Sequence, residues 1–236
     1  MNIHTEKDLG KLQKIAGERI SEHLSQNNGP VLLLIAGGSA FSILDFIDVS
    51  ALSNRVTIHL SDERFYADEK NNFVQFQKTQ FYKRAVLRNV ACVDSQVLPK
   101  ETFPNYHSRF ERQIKKWMTE NKDGKIIATF GIGPDGHTSG IMPFPENPTL
   151  FKQLFQEEEI TVGYSAEGKN EFALRVTTTL TFVQKYVQVG IVYCVGSNKI
   201  PALRAVVSER GSLTITPARV LNEIKILDLF TDQEIA

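Results

Sequence analysis

The run Val31-Leu32-Leu33-Leu34-Ile35-Ala36 is apolar at every position and is followed at once by Gly37-Gly38-Ser39. A strand with one face in water alternates apolar and polar residues. An unbroken apolar run instead suits a strand covered on both faces, as in a parallel sheet wrapped by helices. Related runs recur at Val56–Leu60, Lys125–Phe130 and Val187–Val195, with further strand candidates at Phe172–Thr177 and Ile224–Leu229. Between them lie helical patterns. Leu9, Leu12, Ile15, Ala16, Ile20 and Leu24 recur at helical spacing, as do Phe110, Ile114 and Trp117 within Asn105–Glu120. Ala40–Ile47, Asn72–Arg84 and Asn198–Ser208 are read as further helices, and Pro143–Asn170 as an irregular surface excursion that helps form a lid. This alternation predicts an α/β fold with a mostly parallel sheet and helices on both faces. The 236 residues contain no internal repeat or linker and read as one domain.

Charge narrows the possible partners. Lys plus Arg number 27 and so do Asp plus Glu, so no whole-chain basic field draws nucleic acid or acidic membranes. A local basic pocket for a small anion stays open. Cys92 and Cys194 offer neither a disulfide framework nor a metal cluster, and Cys194 within its apolar run reads as a buried small hydrophobe. Trp117 reads as packing, and Glu157-Glu158-Glu159 as a solvated face. Met1–Lys14 lacks an apolar core of signal-peptide length, and no apolar run approaches the roughly 20 residues of a bilayer span, so a cytoplasmic protein is expected.

Chemistry concentrates where strands end. Gly37-Gly38-Ser39 reads, taken alone, either as an anion site or as a plain strand-to-helix turn. The chain lacks the lysine of a P-loop and the third glycine of a dinucleotide fingerprint there. Asp62-Glu63-Arg64 follows the second strand and, taken alone, reads as a salt-bridged strand end. The third loop is Gly131-Ile132-Gly133-Pro134-Asp135-Gly136-His137-Thr138-Ser139-Gly140. Glycines there allow close approach of a ligand, and histidine exchanges protons near neutral pH. Asp135, two residues before His137, is placed to orient the imidazole or stabilise its charged form.

With these loops in this order, the chain resembles the 6-phosphogluconolactonase family, part of a wider group that includes glucosamine-6-phosphate deaminase. Ala36-Gly37-Gly38-Ser39 is similar to that family's phosphate loop. Asp62-Glu63-Arg64, with Asn72 downstream, resembles its Asp-Glu-Arg motif, and Gly131–Ser139 is the most specific match. Arg175-Val176-Thr177-Thr178-Thr179 resembles an Arg-x-Thr-x-Thr segment, and Gly196-Ser197-Asn198-Lys199 a Gly-x-x-Lys turn. The resemblance implies a three-layer α/β/α, Rossmann-like fold and hydrolysis of 6-phosphogluconolactone to 6-phosphogluconate in the oxidative pentose phosphate pathway. It implies no metal or organic cofactor and a small sugar-phosphate lactone as the binding partner. Monomer and homodimer both stay open.

On that resemblance His137 is the expected general base, Asp135 its orienting partner and Arg64 a stabiliser of the oxyanion or binder of substrate hydroxyls. Arg175 and Lys199, aided by Gly37, Gly38 and Ser39, are expected to hold the phosphate, and Asp62 and Asn72 to bind substrate. Three departures stand out. Ala40-Phe41 replace the usual Thr-Pro of the phosphate loop, so a hydroxyl is absent at Ala40. Phe65-Tyr66 replace a Val-Pro. Thr138-Ser139-Gly140 replaces the commoner Thr-Ala-Ser, and added flexibility is expected at Gly140. An amino-sugar phosphate deaminase is the nearest alternative, but its ring-opening glutamate, five residues after the histidine, is Met142 here. A non-catalytic sugar-phosphate sensor is the second alternative; the balanced charge and the Asp135/His137 pair speak against it.

Overall fold

The computed structural model describes residues 1–235. Ten strands form in chain order: β1 (Asn2–Thr5), β2 (Val31–Ile35), β3 (Val56–Leu60), β4 (Asp62–Arg64), β5 (Ala91–Cys92), β6 (Lys125–Phe130), β7 (Thr161–Ser165), β8 (Leu174–Thr178), β9 (Val189–Tyr193) and β10 (Ile226–Thr231). Seven of them make one sheet in the order β1-β10-β9-β6-β2-β3-β5, and every pairing in it is parallel. Every residue of β2 and of β9 is buried, as expected for strands sandwiched between helical layers. The result is the three-layer α/β/α architecture.

The helices are α1 (Leu9–Ser25), α2 (Phe41–Leu44), α3 (Asn72–Gln77), α4 (Gln80–Leu87), α5 (Phe103–Glu120), α6 (Pro148–Phe155), α7 (Leu180–Tyr186) and α8 (Ile200–Val207). Asp8 caps α1 by accepting from the Lys11 amide at 3.0 Å, and Leu12, Ala16, Ile20 and Leu24 form its buried stripe. Pro104 stands in the first turn of α5, whose buried face is Tyr106, Phe110, Ile114 and Trp117. Trp117 and Cys194 are buried, and Glu157–Glu159 are exposed.

The structure corrects several sequence expectations. The helix expected over Asn72–Arg84 is two helices, because the Thr79 hydroxyl accepts from the Tyr82 amide at 3.1 Å and starts a new helix there. Ala40–Ile47 is a 3₁₀ turn, Gly38–Ala40, followed by the single turn of α2. The stretch 143–170 is not an irregular excursion. It contains α6 and β7; Phe151 and Phe155 of α6 are fully buried, and Phe155 packs against Phe151, Phe144 and Tyr164. The short elements β1, β5 and α7 were not anticipated.

The largest correction concerns Asp62-Glu63-Arg64 and the strand at 172–177. The first, expected as a charged strand end, is a strand of its own, and the second, expected in the main sheet, lies outside it. β4 pairs antiparallel with β8, and β8 with β7, in a separate three-stranded sheet. This second sheet grows directly from the carboxyl end of β3, and Ser61 is the hinge: its amide donates to the Ile35 carbonyl and its carbonyl accepts from the Thr178 amide, both at 3.0 Å.

Candidate active site

The main sheet reverses its direction of winding between β2 and β6. From β2 the chain crosses to β3, and from β6 it crosses the other way to β9. Ligand clefts of open α/β sheets lie outside the carboxyl ends of strands at such a switch point. Here the Ala36 amide donates to Thr129 Oγ1 at 2.9 Å, tying the two exits together. A cleft of about 180 Å³ opens above them. Its walls bring together Gly37, Gly38 and Ser39 after β2, Asp62 and Arg64 on β4, Asn72 on α3, His137 and Ser139 after β6, Arg175 on β8, and Lys199. Every residue expected at the site from sequence lines this one cleft except Asp135, which stands behind His137.

Asp135 Oδ1 lies 2.5 Å from His137 Nδ1 and also accepts from the His137 amide at 3.2 Å. Burial raises the Asp135 carboxyl, but the hydrogen bond and charge of His137 outweigh it and hold the group below its ordinary value. With Nδ1 engaged by the carboxylate, Nε2 is the nitrogen left to exchange protons with a ligand or water. The turn that presents the ring is closed by the Gly133 amide donating to the His137 carbonyl at 2.8 Å, with Gly136 at φ +85°.

Strand alternation explains Asp62-Glu63-Arg64. Successive side chains of a strand point to opposite faces. Asp62 and Arg64 line the cleft, whereas Glu63 is fully buried. Glu63 Oε1 accepts from the amides of Arg64 (2.8 Å) and Asn72 (2.6 Å), and Oε2 from the Phe73 amide (2.8 Å) and Ser95 Oγ (3.1 Å). Burial pushes the Glu63 carboxyl up to about 8 against the pull of these backbone donors. Its role is to seat the start of α3, and with it Asn72. In the sequence Glu63 is grouped with its charged neighbours; only the pairing of β4 with β8 separates its face from theirs.

Across the small sheet Arg64 stands directly opposite Arg175, an arrangement of like charges that is unfavourable by itself. Asp62 offsets it by accepting from Arg175 Nη2 at 2.7 Å, with both side chains 5% exposed. Arg175 is therefore a neutralised cation as well as a wall of the cleft, a pairing not foreseen from sequence. Arg64 lays its guanidinium 4.0 Å over the Phe172 ring and donates to the Lys70 carbonyl at 3.2 Å. Burial lowers its affinity for its proton, partly offset by Asp62. Lys199 Nζ donates to the Ile132 carbonyl at 2.6 Å, so its hydrogen bond is to a neutral group. Three cations and one carboxylate thus line a cleft in a chain of zero net charge.

Four polar side-chain atoms on these walls are buried and lack a hydrogen-bond partner: Arg64 Nε, Asn72 Oδ1, Ser139 Oγ and Arg175 Nε. Such groups are costly unless something satisfies them. Asn72 Nδ2 is held by the Asp62 carbonyl at 3.1 Å, and a side chain at Gly37 would strike Asn72 Oδ1 at 2.5 Å. Gly37 is thus needed for close approach, and Gly38, at φ +66°, for its backbone shape.

The departures in sequence resolve physically. Ala40 is buried in the core and does not line the cleft, so the hydroxyl absent there takes nothing from its walls. Gly140 is not a point of added flexibility. Its amide donates to Thr177 Oγ1 at 3.1 Å, its carbonyl accepts from Tyr164 OH at 2.6 Å, and a side chain there would meet Thr177 Cβ at 2.8 Å. Met142 is fully buried among apolar residues, and Glu146 is exposed and paired with Lys169 at 2.5 Å. No glutamate lines the cleft among the described residues. Among those residues no group of three or more His, Cys, Asp or Glu stands together to hold a metal ion, and no helix is long and apolar enough to cross a membrane.

A family model described as glucosamine-6-phosphate isomerases/6-phosphogluconolactonase matches residues 8–227. A Caenorhabditis elegans protein whose provisional name is 6-phosphogluconolactonase is 26% identical over 233 residues, covering 96% of this chain and 82% of that protein. Among solved structures, the 6-phosphogluconolactonase of Trypanosoma brucei superposes with a TM-score of 0.76 at 17% identity, over 100% of this chain and 97% of that one. That of Leishmania guyanensis gives 0.72 at 20% identity over 98% and 95%, and that of Shewanella baltica 0.76 at 16% over 98% and 97%. At these identities the structural likeness establishes the fold.

Proposed function

The chain belongs to the glucosamine-6-phosphate isomerase/6-phosphogluconolactonase family, and from that premise we propose that it hydrolyses 6-phosphogluconolactone to 6-phosphogluconate. The observation that carries this reading is a single cleft lined by a carboxylate-braced histidine and by four residues that each keep a buried, unpartnered polar atom. These are the marks of a site built for a polar ligand and a proton transfer. The absence of a glutamate from the walls favours it over the isomerase-deaminase branch.

In this reading the phosphate lies against Gly37, Gly38, Ser39 and Lys199, where glycine permits close approach and lysine supplies a point charge. Arg175, expected from sequence at the phosphate, is assigned instead with Asp62 and Asn72 to the sugar ring, because Asp62 already neutralises it, and the lactone carbonyl lies beside His137. His137 Nε2 takes a proton from water as the water oxygen bonds to the carbonyl carbon. Arg64 steadies the charge that develops on the carbonyl oxygen. The tetrahedral intermediate collapses with cleavage of the bond from carbonyl carbon to ring oxygen, and the imidazolium returns its proton to that oxygen. Asp135 fixes the ring orientation and stabilises the imidazolium. The physiological setting of this reading is the oxidative pentose phosphate pathway in the cytoplasm, with a single domain as the working unit.

The test is a rapid coupled assay on freshly generated lactone, because this lactone also opens unaided. Wild-type protein accelerates opening, and His137→Ala lowers kcat by about 10²–10⁴-fold with an unchanged melting temperature. A wild-type rate equal to the enzyme-free rate, or ammonia release from glucosamine 6-phosphate, overturns the reading.

A further inference from the structure

Ser139 is the one unpartnered group on the cleft walls to which nothing above assigns a role. It sits at the apex of the turn Thr138–Ile141, closed by the Ile141 amide donating to the Thr138 carbonyl at 2.9 Å. Everything around it is tied to protein. Thr138 Oγ1 donates to the Gly131 carbonyl at 2.8 Å, and Gly140 is pinned through both its amide and its carbonyl. Only the Ser139 hydroxyl is left over, buried and without a partner. Its backbone is held at φ +48°, in the left-handed region that glycine occupies more easily, although the glycine of this turn is the next residue. Backbone strain on a residue with a side chain persists where the surroundings impose it, and it clusters at ligand sites.

We propose that Ser139 is a substrate-binding residue whose hydroxyl hydrogen-bonds a ring hydroxyl of the sugar and helps set which ring stereochemistry the cleft accepts. The inference rests on the lactonase reading above and deepens it. Chemistry and position select the ring over the phosphate. The unpartnered atoms on Arg64 and Arg175 only donate, and that on Asn72 only accepts, whereas a serine hydroxyl does both, as a sugar hydroxyl does. The phosphate loop and Lys199 leave from β2 and β9, but the Ser139 turn is seated on the other wall. The neighbouring Gly140 packs against Asp62 and Thr177, where an added side chain would come within 3.2 Å of Asp62 Cβ, and Ser139 lines the cleft with His137, Asp62 and Arg175.

The experiment compares wild type, Ser139→Ala and Ser139→Gly on freshly generated lactone, with melting temperatures in the absence and presence of 6-phosphogluconate. Ser139→Ala removes only the hydroxyl. It raises KM by about 5- to 10-fold, the size of one lost hydrogen bond, with kcat within about threefold, and it shrinks the melting shift given by 6-phosphogluconate. Ser139→Gly also relieves the backbone, so its unliganded melting temperature rises while its KM matches that of the alanine variant. On ring-deoxy lactones, each lacking one hydroxyl, the Ser139→Ala penalty vanishes for the analogue missing the contacted group. An active wild type with unchanged KM and melting shift in Ser139→Ala overturns this inference alone. A wild type with no lactonase activity overturns the functional reading beneath it.

Discussion

Two buried aspartates paired with arginines differ in how fully their hydrogen bonds are met. Asp228, on β10, is saturated: it accepts from Asn2 Nδ2 at 3.1 Å, His4 Nε2 at 3.0 Å and Arg19 Nε at 2.9 Å, and Arg19 extends to Glu22 at 2.7 Å. Asp62, on β4, is held at 2.7 Å by Arg175, whose Nε remains buried and unpartnered. Both carboxylates are buried, but Arg19 is 32% exposed whereas Arg175 is buried with its partner. The first ties β1 and α1 to β10 and leaves one buried atom beside it without a hydrogen bond, His23 Nε2, 3.8 Å from Asp228 Oδ2. The second stays open on one side, beside three more unpartnered atoms. Breaking the first should therefore be felt in folding, and changing the second in binding.

The largest effect that separates the two is expected from Asp228→Ala. It leaves His4, Asn2 and Arg19 Nε without their shared acceptor, although Arg19 keeps Glu22, and the lost hydrogen bonds cost about 2 kcal/mol. Chemical denaturation should register this loss, while kcat and KM on the lactone stay at wild-type values. A drop in kcat would break the division between the two clusters. Lys199→Ala tests the other side. It should raise KM by about tenfold, in the range of a charged hydrogen bond to phosphate, with little change in denaturation midpoint. An unchanged KM would move the phosphate elsewhere.

The smallest effect sharpens the comparison through pH. Burial raises the Asp228 carboxyl, but hydrogen bonds from His4, Arg19 and Asn2 prevail and hold it down at about 2. Because the folded value lies below the unfolded one, the cluster's stabilisation is complete above roughly pH 4. It is lost as pH falls from there to about 2, when the folded protein must take up the proton. Melting curves over this window should slope less steeply in Asp228→Asn than in wild type; parallel slopes would mean that other carboxylates govern acid unfolding.

Much of this division was legible in the sequence, and the illegible parts share a cause. Val31–Ala36 and Lys125–Phe130 announce buried parallel strands because burial on both faces leaves no room for polar residues. The glycines around Asp135 and His137 announce a ligand-facing turn. Asp62-Glu63-Arg64 could not be read as a strand, since three residues are too few to display a period and their partner, β8, lies more than 100 positions later. The separate roles of Glu63 and Asp62, and the neutralisation of Arg175, follow from that distant pairing. Ser139 was hidden for another reason: an unpartnered atom is defined by what fails to surround it, which no local pattern records. The α6–β7 segment was lost because its apolar residues serve a small aromatic cluster and not the main sheet.

The pairing of β1 with β10 joins Asn2 to Asp228 across a separation of 226 residues. During synthesis at about 5–20 residues per second, Asn2–Thr5 must wait on the order of 10–50 s before the segment it zips onto has been made. Until then β9 offers a bare rim to solvent and the Asp228 cluster does not exist. The nascent chain therefore has an interval in which its cleft-forming loops are present but one margin of the sheet is unfinished, a natural moment for chaperone capture or for mistaken pairing with a neighbouring chain.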